Sequence, residues 1–273
     1  MNTRPLISVI IPTKDRPELL KRAIDSVLMQ SWPSLEVVVV DDGSGSETAQ
    51  VLEKIREKGV PLRFVRNRVS KGAAASRNIA LEMAKGEYVS GLDDDDVWYP
   101  NRLERLFEAL AEGYSAAAAW DLFMRNGRMQ VWKKPPEIGY EDLLWYNRIG
   151  NQVLVRRSRL QELGGYDEDL PSAQDYDLWL RLTRRFGPIR IVQEALQTVF
   201  EERNRRRITT GAKQAEGYYR CYLKHKTEMS ASQRRYQLYR IRLAAGKRVG
   251  CGELFRASPR SLITKEILRW IQS

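Results

Sequence analysis

Between residues 6 and 92, short apolar runs alternate with segments whose apolar positions recur at helical spacing. Leu6–Ile11 (LISVII) is β-branched and bounded by Pro5 and Pro12, which predicts a strand buried on both faces. From Pro17 to Gln30, Leu19, Leu20, Ala23, Ile24, Val27 and Leu28 make a helical stripe, and Pro17 suits a first turn. Leu35–Val40 predicts a second strand. Glu47–Lys58 predicts a helix with Val51, Leu52 and Ile55 on one face. Leu62–Val65 then reads as a strand, Ala74–Ala84 as a helix and Tyr88–Leu92 as a fourth strand. This alternation predicts a parallel sheet with helices on both faces, joined by right-handed crossovers.

Beyond residue 100 the pattern loosens. Asn101–Glu112 is an amphipathic helix through Leu103, Leu106, Phe107 and Leu110. Ala116–Leu122 and Arg128–Trp132 read as strands, Tyr140–Tyr146 and Ser158–Leu163 as short helices, and Asp175–Phe186 as a longer helix. From Arg203 onward there are helical stretches without a clear sheet. No repeat and no low-complexity linker separates this tail, so it is expected to pack on the body.

Open parallel sheets bind ligands beyond the carboxyl ends of their strands. Pro12-Thr13-Lys14-Asp15-Arg16 follows the first strand, Asp41-Asp42-Gly43-Ser44 the second, and Asp93-Asp94-Asp95-Asp96 the fourth. All three should meet at one edge. Four adjacent carboxylates repel unless a cation offsets them, and hard oxygen ligands suit Mg²⁺ or Mn²⁺. Taken alone the run also reads as an acidic turn before a helix. Asp42 reads either as a turn or cap residue or as an acceptor for a nucleobase N–H, with Pro12–Arg16 as a pocket wall. Lys71-Gly72 through Arg77-Asn78 opens a helix with small residues, which lets a ligand approach backbone N–H groups. Arg77 suits an aspartate of the 93–96 run or a phosphate.

In order and spacing, Ser8–Thr13, Val40–Ser44, Lys71–Asn78 and Leu92–Asp96 resemble the family-2 inverting glycosyltransferases. Gly164-Gly165-Tyr166-Asp167-Glu168 followed by Gln174-Asp175-Tyr176-Asp177-Leu178-Trp179-Leu180-Arg181 is similar to that family's acceptor-side loop and catalytic helix. The likeness covers residues 6 to about 186. It implies an α/β fold of the GT-A type, a Rossmann-like, mixed but mostly parallel sheet flanked by helices. It implies a nucleoside-diphosphate sugar donor, UDP by default, and a glycan or glycolipid acceptor. Pro12, Thr13, Asp15, Arg16, Asp41, Asp42, Lys71, Arg77, Asp93 and Asp94 would bind the nucleotide. Asp95 would hold Mn²⁺ or Mg²⁺, Asp175 would be the general base, and Gly164, Gly165, Tyr166 and Gln174 would face the acceptor; apart from the resemblance, Asp175 reads as a helix cap. Arg181 would be a structural or phosphate-side partner. Many relatives carry a histidine after the catalytic helix. The matching stretch here, Val199–Arg207, has none, and Arg203 or a later arginine would take its place.

Composition adds two constraints. Two cysteines 30 residues apart, Cys221 and Cys251, make no disulfide scaffold, and a single histidine excludes a His-rich metal site. His225, between Lys224 and Lys226, is expected at the surface. The net charge of +11 is uneven: residues 203–273 hold 18 Lys/Arg and 4 Glu, whereas residues 1–202 hold 28 basic and 31 acidic residues. That predicts a catalytic domain over 1–202 and a basic, mainly helical extension over 203–273. In the extension Tyr218, Tyr219, Tyr222, Tyr236 and Tyr239 intermix with Arg220, Lys224, Lys226, Arg234, Arg235, Arg240 and Arg242, a composition that suits an anionic membrane surface. The terminal KEILRWIQS reads either as an interfacial anchor or as a segment docked on the body. No signal peptide or spanning stretch is legible, so the expectation is a cytoplasmic protein, peripheral on the inner face of the cell membrane. The competing readings are a nucleic-acid-binding protein driven by the tail, a sugar nucleotidyltransferase and a non-catalytic scaffold. No nucleic-acid motif supports the first, PTKDRPE lacks the Gly-rich signature of the second, and the intact aspartates oppose the third.

Overall fold

The computed structural model describes residues 4–125, 127–201, 212–259, 262–264, 266 and 267. The predicted alternation is observed: β1 (Ile7–Thr13), α1 (Pro17–Leu28), β2 (Leu35–Asp41), α2 (Ser46–Arg56), β3 (Leu62–Arg66), α3 (Ala73–Met83) and β4 (Tyr88–Gly91). There follow β5 (Val97–Trp98), α4 (Arg102–Ala109), β6 (Ala116–Arg125), β7 (Arg128–Trp132), β8 (Glu137–Ile138), α5 (Tyr140–Leu143), β9 (Leu154–Arg156), α6 (Arg157–Glu162), α7 (Gln174–Phe186) and β10 (Ile189–Glu201). Among the described residues the chain then continues as α8 (Ala212–His225), a 3₁₀ turn, α9 (Ala231–Ala244) and α10 (Cys251–Ala257).

One mixed sheet runs in the order β3-β2-β1-β4-β9-β6-β10-β5, with β7 beside β6 and β8 beside β10. β1 pairs in parallel with both β2 and β4, so the carboxyl ends of these three strands lie side by side. β9 is antiparallel to β4 and to β6, and marks where the parallel half ends.

Alternation along β1 divides the core. Ile7, Val9 and Ile11 face α1, α2 and α4 through Leu20, Ile24, Leu52, Leu103 and Leu106. Ile10 faces α3 and α7 through Ala80, Leu81, Leu178 and Leu182. Both faces are apolar because helices cover both, as a parallel sheet requires. Pro17 occupies the first turn of α1, where its missing N–H costs no hydrogen bond.

The helical C-terminal region packs on the body, as expected. Cys221 and Met229 join the core beneath α7. Gln237 donates to the Tyr176 hydroxyl (2.6 Å) and to the carbonyl of Leu144 (2.9 Å). Two expectations fail here. Tyr236 and Tyr239 are buried in a third apolar cluster with Leu254 and Leu262, so they are core residues and do not face a surface. His225 is buried too, 8% exposed, because α8 turns it onto α7. The terminal residues Leu268, Trp270 and Ile271 lie outside the described residues, whereas Ile267 packs against the third cluster.

Candidate active site

The carboxyl ends of β1, β2 and β4 open into a cavity of about 730 Å³. Pro12, Thr13, Lys14 and Arg16 after β1, Asp42 after β2, and Ser70 to Ala74, Ser76 and Arg77 at the start of α3 line one part of it. The four aspartates 93–96 line the centre. Glu168, Leu170, Pro171, Gln174, Lys213 and Gln214 close the far side.

Hydrogen bonds stitch the strand-end loops together. The Asp42 amide donates to the Thr13 carbonyl (2.8 Å), the Asp15 amide to Ser44 Oγ (2.8 Å), and the Gly45 amide to Asp15 Oδ1 (3.1 Å). Gly43 needs φ +79°, and a side chain there would also press on the Ser70 amide. Among the described residues only Asp15 and Ala173 are non-glycine residues at positive φ. One bends the loop after β1 and the other immediately precedes Gln174 and Asp175, so the backbone strain sits at the cavity.

Asp42 lines the cavity, but its carboxylate is already engaged. It accepts from Asn67 Nδ2 (2.9 Å), Ser70 Oγ (2.6 Å), and the amides of Lys71 (2.8 Å) and Gly72 (2.9 Å). Burial alone would raise its pKa, yet these donors hold it below the ordinary carboxylate value. Its visible work is to tie the segment 67–72 to the end of β2. Asp41, expected on the wall, lies beneath it: buried, it accepts from the Ser44 amide (2.9 Å) and faces Arg66. Asp15 is exposed and is not among the lining residues; it shapes the loop through its bond with the Gly45 amide.

The aspartates divide by environment. Arg16 Nη1 lies 3.1 Å from Asp94 and 3.0 Å from Asp95. Burial pushes the Asp94 carboxyl up to about 6, against the Thr13 hydroxyl, which donates to it at 2.7 Å, and against Arg16. Arg77 pairs with Asp93 at 2.9 Å, and Asn151 also donates to Asp93. Asp96 is buried and accepts from Gln152 Nε2 (2.5 Å) and the Phe200 amide (3.3 Å). Burial, with Asp93 and Asp95 nearby, raises it well above the carboxylate range. One oxygen from each of Asp93, Asp95 and Asp96 falls within 4.8 Å of the others, a hard, all-oxygen donor set that fits Mg²⁺ or Mn²⁺.

Asp175 stands in the first turn of α7, next to the lining residue Gln174, and accepts from Asn147 Nδ2 at 2.9 Å. Burial raises its pKa although the Arg77 charge opposes this. A raised pKa makes a carboxylate a stronger proton acceptor.

Gly164, Gly165 and Tyr166, expected on the acceptor side, are not among the residues that line the cavity, and neither is Asp175 itself. A Cβ on Gly165 would strike Asn78, whose side chain accepts from the Tyr166 amide (2.8 Å) and donates to the Tyr166 carbonyl (2.8 Å). These residues fasten the loop to α3 and leave Glu168 and Leu170 on the wall. Arg181 is structural: it donates to Asp177 (2.8 Å) and to the carbonyls of Leu163 and Gly165 (2.8 Å each). The Asp177 carboxylate also meets Lys224 (2.7 Å) and His225 Nε2 (3.0 Å). Cys221 is near, but three nitrogen partners already balance this carboxylate and burial keeps the thiol protonated. Arg203 to Arg207 lie outside the described residues. Sequence reading missed Asn147, Asn151 and Gln152, the partners of Asp175, Asp93 and Asp96. They sit in a loop without periodicity, and no local signal marks them.

Residues 8–185 match the profile described as Glycosyl transferase family 2. The chain belongs to this family. It is 34% identical over 261 residues, covering 91% of each chain, to a putative colanic acid biosynthesis glycosyl transferase, WcaA, of Escherichia coli K12. It is 29% identical over 184 residues, 65% of this chain and 70% of the relative, to an Escherichia coli protein named UDP-Glc:alpha-D-GlcNAc-diphosphoundecaprenol beta-1,3-glucosyltransferase, WfaP. Among solved structures, Staphylococcus aureus TarS 1–349 in complex with UDP-GlcNAc superposes with a TM-score of 0.70 at 22% identity, over 97% of this chain and 78% of that one. The mannosyltransferase PcManGT of Pyrobaculum calidifontis, in complex with GDP-Man and Mn²⁺, gives 0.63 at 19% identity, over 100% of this chain and 76% of that one. The GT-A fold expected for a family-2 glycosyltransferase is therefore the fold observed.

Proposed function

We propose that this glycosyltransferase moves a sugar, with inversion, from a UDP-sugar to a hydroxyl of a polysaccharide or lipid-linked acceptor. One observation carries the reading: a single cavity at the ends of β1, β2 and β4 has a cluster of oxygen donors at its centre and the Asp175 turn of α7 beside its far wall. The UDP complex of a structural relative and the lipid-diphosphate acceptor in the name of a sequence relative favour the donor and acceptor classes.

Pro12, Thr13, Lys14 and Lys71 would line the nucleotide end, with Asp15, Asp41 and Asp42 fixing the loops around it. Arg16 and Arg77 bring positive charge to the diphosphate region. Asp95, with Asp93 and Asp96, would hold Mn²⁺ or Mg²⁺, which when bound offsets charge on the leaving diphosphate. Asp175 would take the proton from the acceptor hydroxyl as its oxygen forms the bond to the anomeric carbon and the bond to the diphosphate breaks. A single displacement from one face inverts the configuration. Gln174 and Glu168 would meet the acceptor.

Residues 1–202 would form the catalytic domain and 203–273 an extension that brings it to the anionic inner face of the cell membrane. Net positive charge in the extension favours this. Among the described residues no helix is long and apolar enough to cross a membrane. The donor is tested by thermal-shift screening of UDP-, GDP- and dTDP-sugars with and without Mn²⁺. Stabilisation by UDP-sugars is expected. Stabilisation by GDP- or dTDP-sugars alone would replace the donor, and stabilisation by none would sink the reading.

A further inference from the structure

A second concavity, of about 670 Å³, lies wholly within the helical C-terminal region, between α8, α9 and α10. Its floor is apolar: Tyr219, Leu238, Ile241 and Ala257. Tyr219 is 45% exposed and Leu238 40%, so this apolar surface faces solvent. Arg235, Arg242 and Arg256 stand at the rim, with Glu253 the one acidic residue among them. Arg242 pairs with Glu253 at 2.6 Å. Arg235 donates to the Ser232 hydroxyl and Arg256 to the Gly252 carbonyl, and among the described residues neither meets a carboxylate. An apolar trough edged by unneutralised guanidinium groups matches an amphiphile with a hydrocarbon chain and an anionic head.

The trough is joined to the catalytic cavity by a single helix. Lys213 and Gln214, in the first turn of α8, line the cavity on the side of Gln174, and Tyr219 on the same helix lines the trough. Five residues of α-helix advance roughly 7.5 Å. The same five residues turn the helix through about 140°, so a lipid-linked sugar would pass from the trough around α8 to reach the cavity.

We propose that this trough holds the isoprenyl chain of a lipid-linked diphosphate acceptor, with Arg235 and Arg256 facing its diphosphate. It rests on the lipid-linked acceptor reading and adds the site.

The test is binding of geranylgeranyl diphosphate, below its micellar concentration, to the full chain, with inorganic pyrophosphate and UDP measured alongside. Wild type is expected to bind the isoprenyl diphosphate at least about tenfold more tightly than pyrophosphate. Leu238→Glu and Arg235→Glu are each expected to weaken it about tenfold and to leave UDP affinity unchanged. Both sites are exposed enough to accept the change, and retained UDP binding certifies the fold. Equal affinity in wild type and both variants overturns the proposal, as does pyrophosphate binding as tightly as the lipid. A dimer abolished by Leu238→Glu with lipid affinity unchanged would make the trough a self-interface instead. If Leu238→Glu transfers to a lipid-linked acceptor with unaltered KM, the trough fails and the acceptor class stands. If wild type glycosylates only soluble glycans and binds no isoprenyl diphosphate, both fail.

Discussion

His225 Nε2 lies 3.0 Å from a carboxylate oxygen of Asp177, which binds the end of α8 to the helix whose first turn carries Asp175. Lys224 and Arg181 meet the same carboxylate, at 2.7 and 2.8 Å. The Asp177 side chain is fully buried, whereas Arg181 and Lys224 stay partly exposed. Burial alone would raise the Asp177 pKa; the three partners outweigh it and hold it well below the ordinary value. A depressed folded-state pKa adds stability that is present above the unfolded value near 4 and is lost as pH falls toward the folded value. Asp177→Asn should therefore cost about 2–3 kcal/mol at pH 7 and less at pH 3. Urea denaturation at both pH values measures it. An equal cost at both would show that packing, not charge, is the contribution.

Asp175→Asn removes the proposed proton acceptor and keeps the side chain's size and its contact with Asn147. Transfer should fall by roughly 10²–10⁴-fold while UDP affinity is retained. Wild-type turnover in the variant would assign the base elsewhere.

Asp95→Ala removes one oxygen from the cluster of Asp93, Asp95 and Asp96. Nucleotide affinity measured by calorimetry should lose its dependence on Mn²⁺. A variant whose affinity still rises with Mn²⁺ as in wild type would exclude Asp95 as a ligand.

Gly217 sits where α8 crosses the loop before α7. A Cβ there would lie 2.5 Å from the Ser172 carbonyl oxygen and 2.6 Å from its amide nitrogen. Backbone cannot yield as a side chain does, so Gly217→Ala should destabilise by about 1–3 kcal/mol. Because the clash displaces the approach to Asp175, kcat should fall more than UDP affinity. Thermal melts and steady-state kinetics together test this; an unchanged Tm would mean that α8 shifts freely on the body.

Vesicle flotation addresses the extension. The protein should be recovered with vesicles rich in anionic lipid and not with neutral ones, and recovery should fall as salt rises. Equal recovery with both would remove the electrostatic attachment.

The parallel half of the sheet and the three strand-end clusters were legible because both depend on local pattern: β-branched runs with acidic or polar residues directly after them. The assignment within a cluster was not. Asp41 and Asp42 are adjacent, and successive residues at a strand end point to opposite sides, so one is buried under the loop and the other faces the cavity. Tyr236, Tyr239 and His225 were misjudged for another reason. α9 buries Gln233 and Gln237 along with its tyrosines, so no clean apolar stripe marks its inner face. His225 is drawn inward by a carboxylate 48 positions earlier, a contact that local pattern cannot show.

The bond from the Phe200 amide to Asp96 joins residues 104 positions apart. All four aspartates leave the ribosome long before the strand that completes their surroundings, and α8 emerges later still. A nascent chain that ends before β10 carries every strand-end motif, yet lacks Val199 and Phe200 on the cavity wall and the amide that meets Asp96. Closure of such distant contacts is among the slower events of folding. The strand-end cavity is thus assembled late in biogenesis, and sugar-nucleotide binding should first appear only once β10 has been made, nearly three-quarters of the way along the chain.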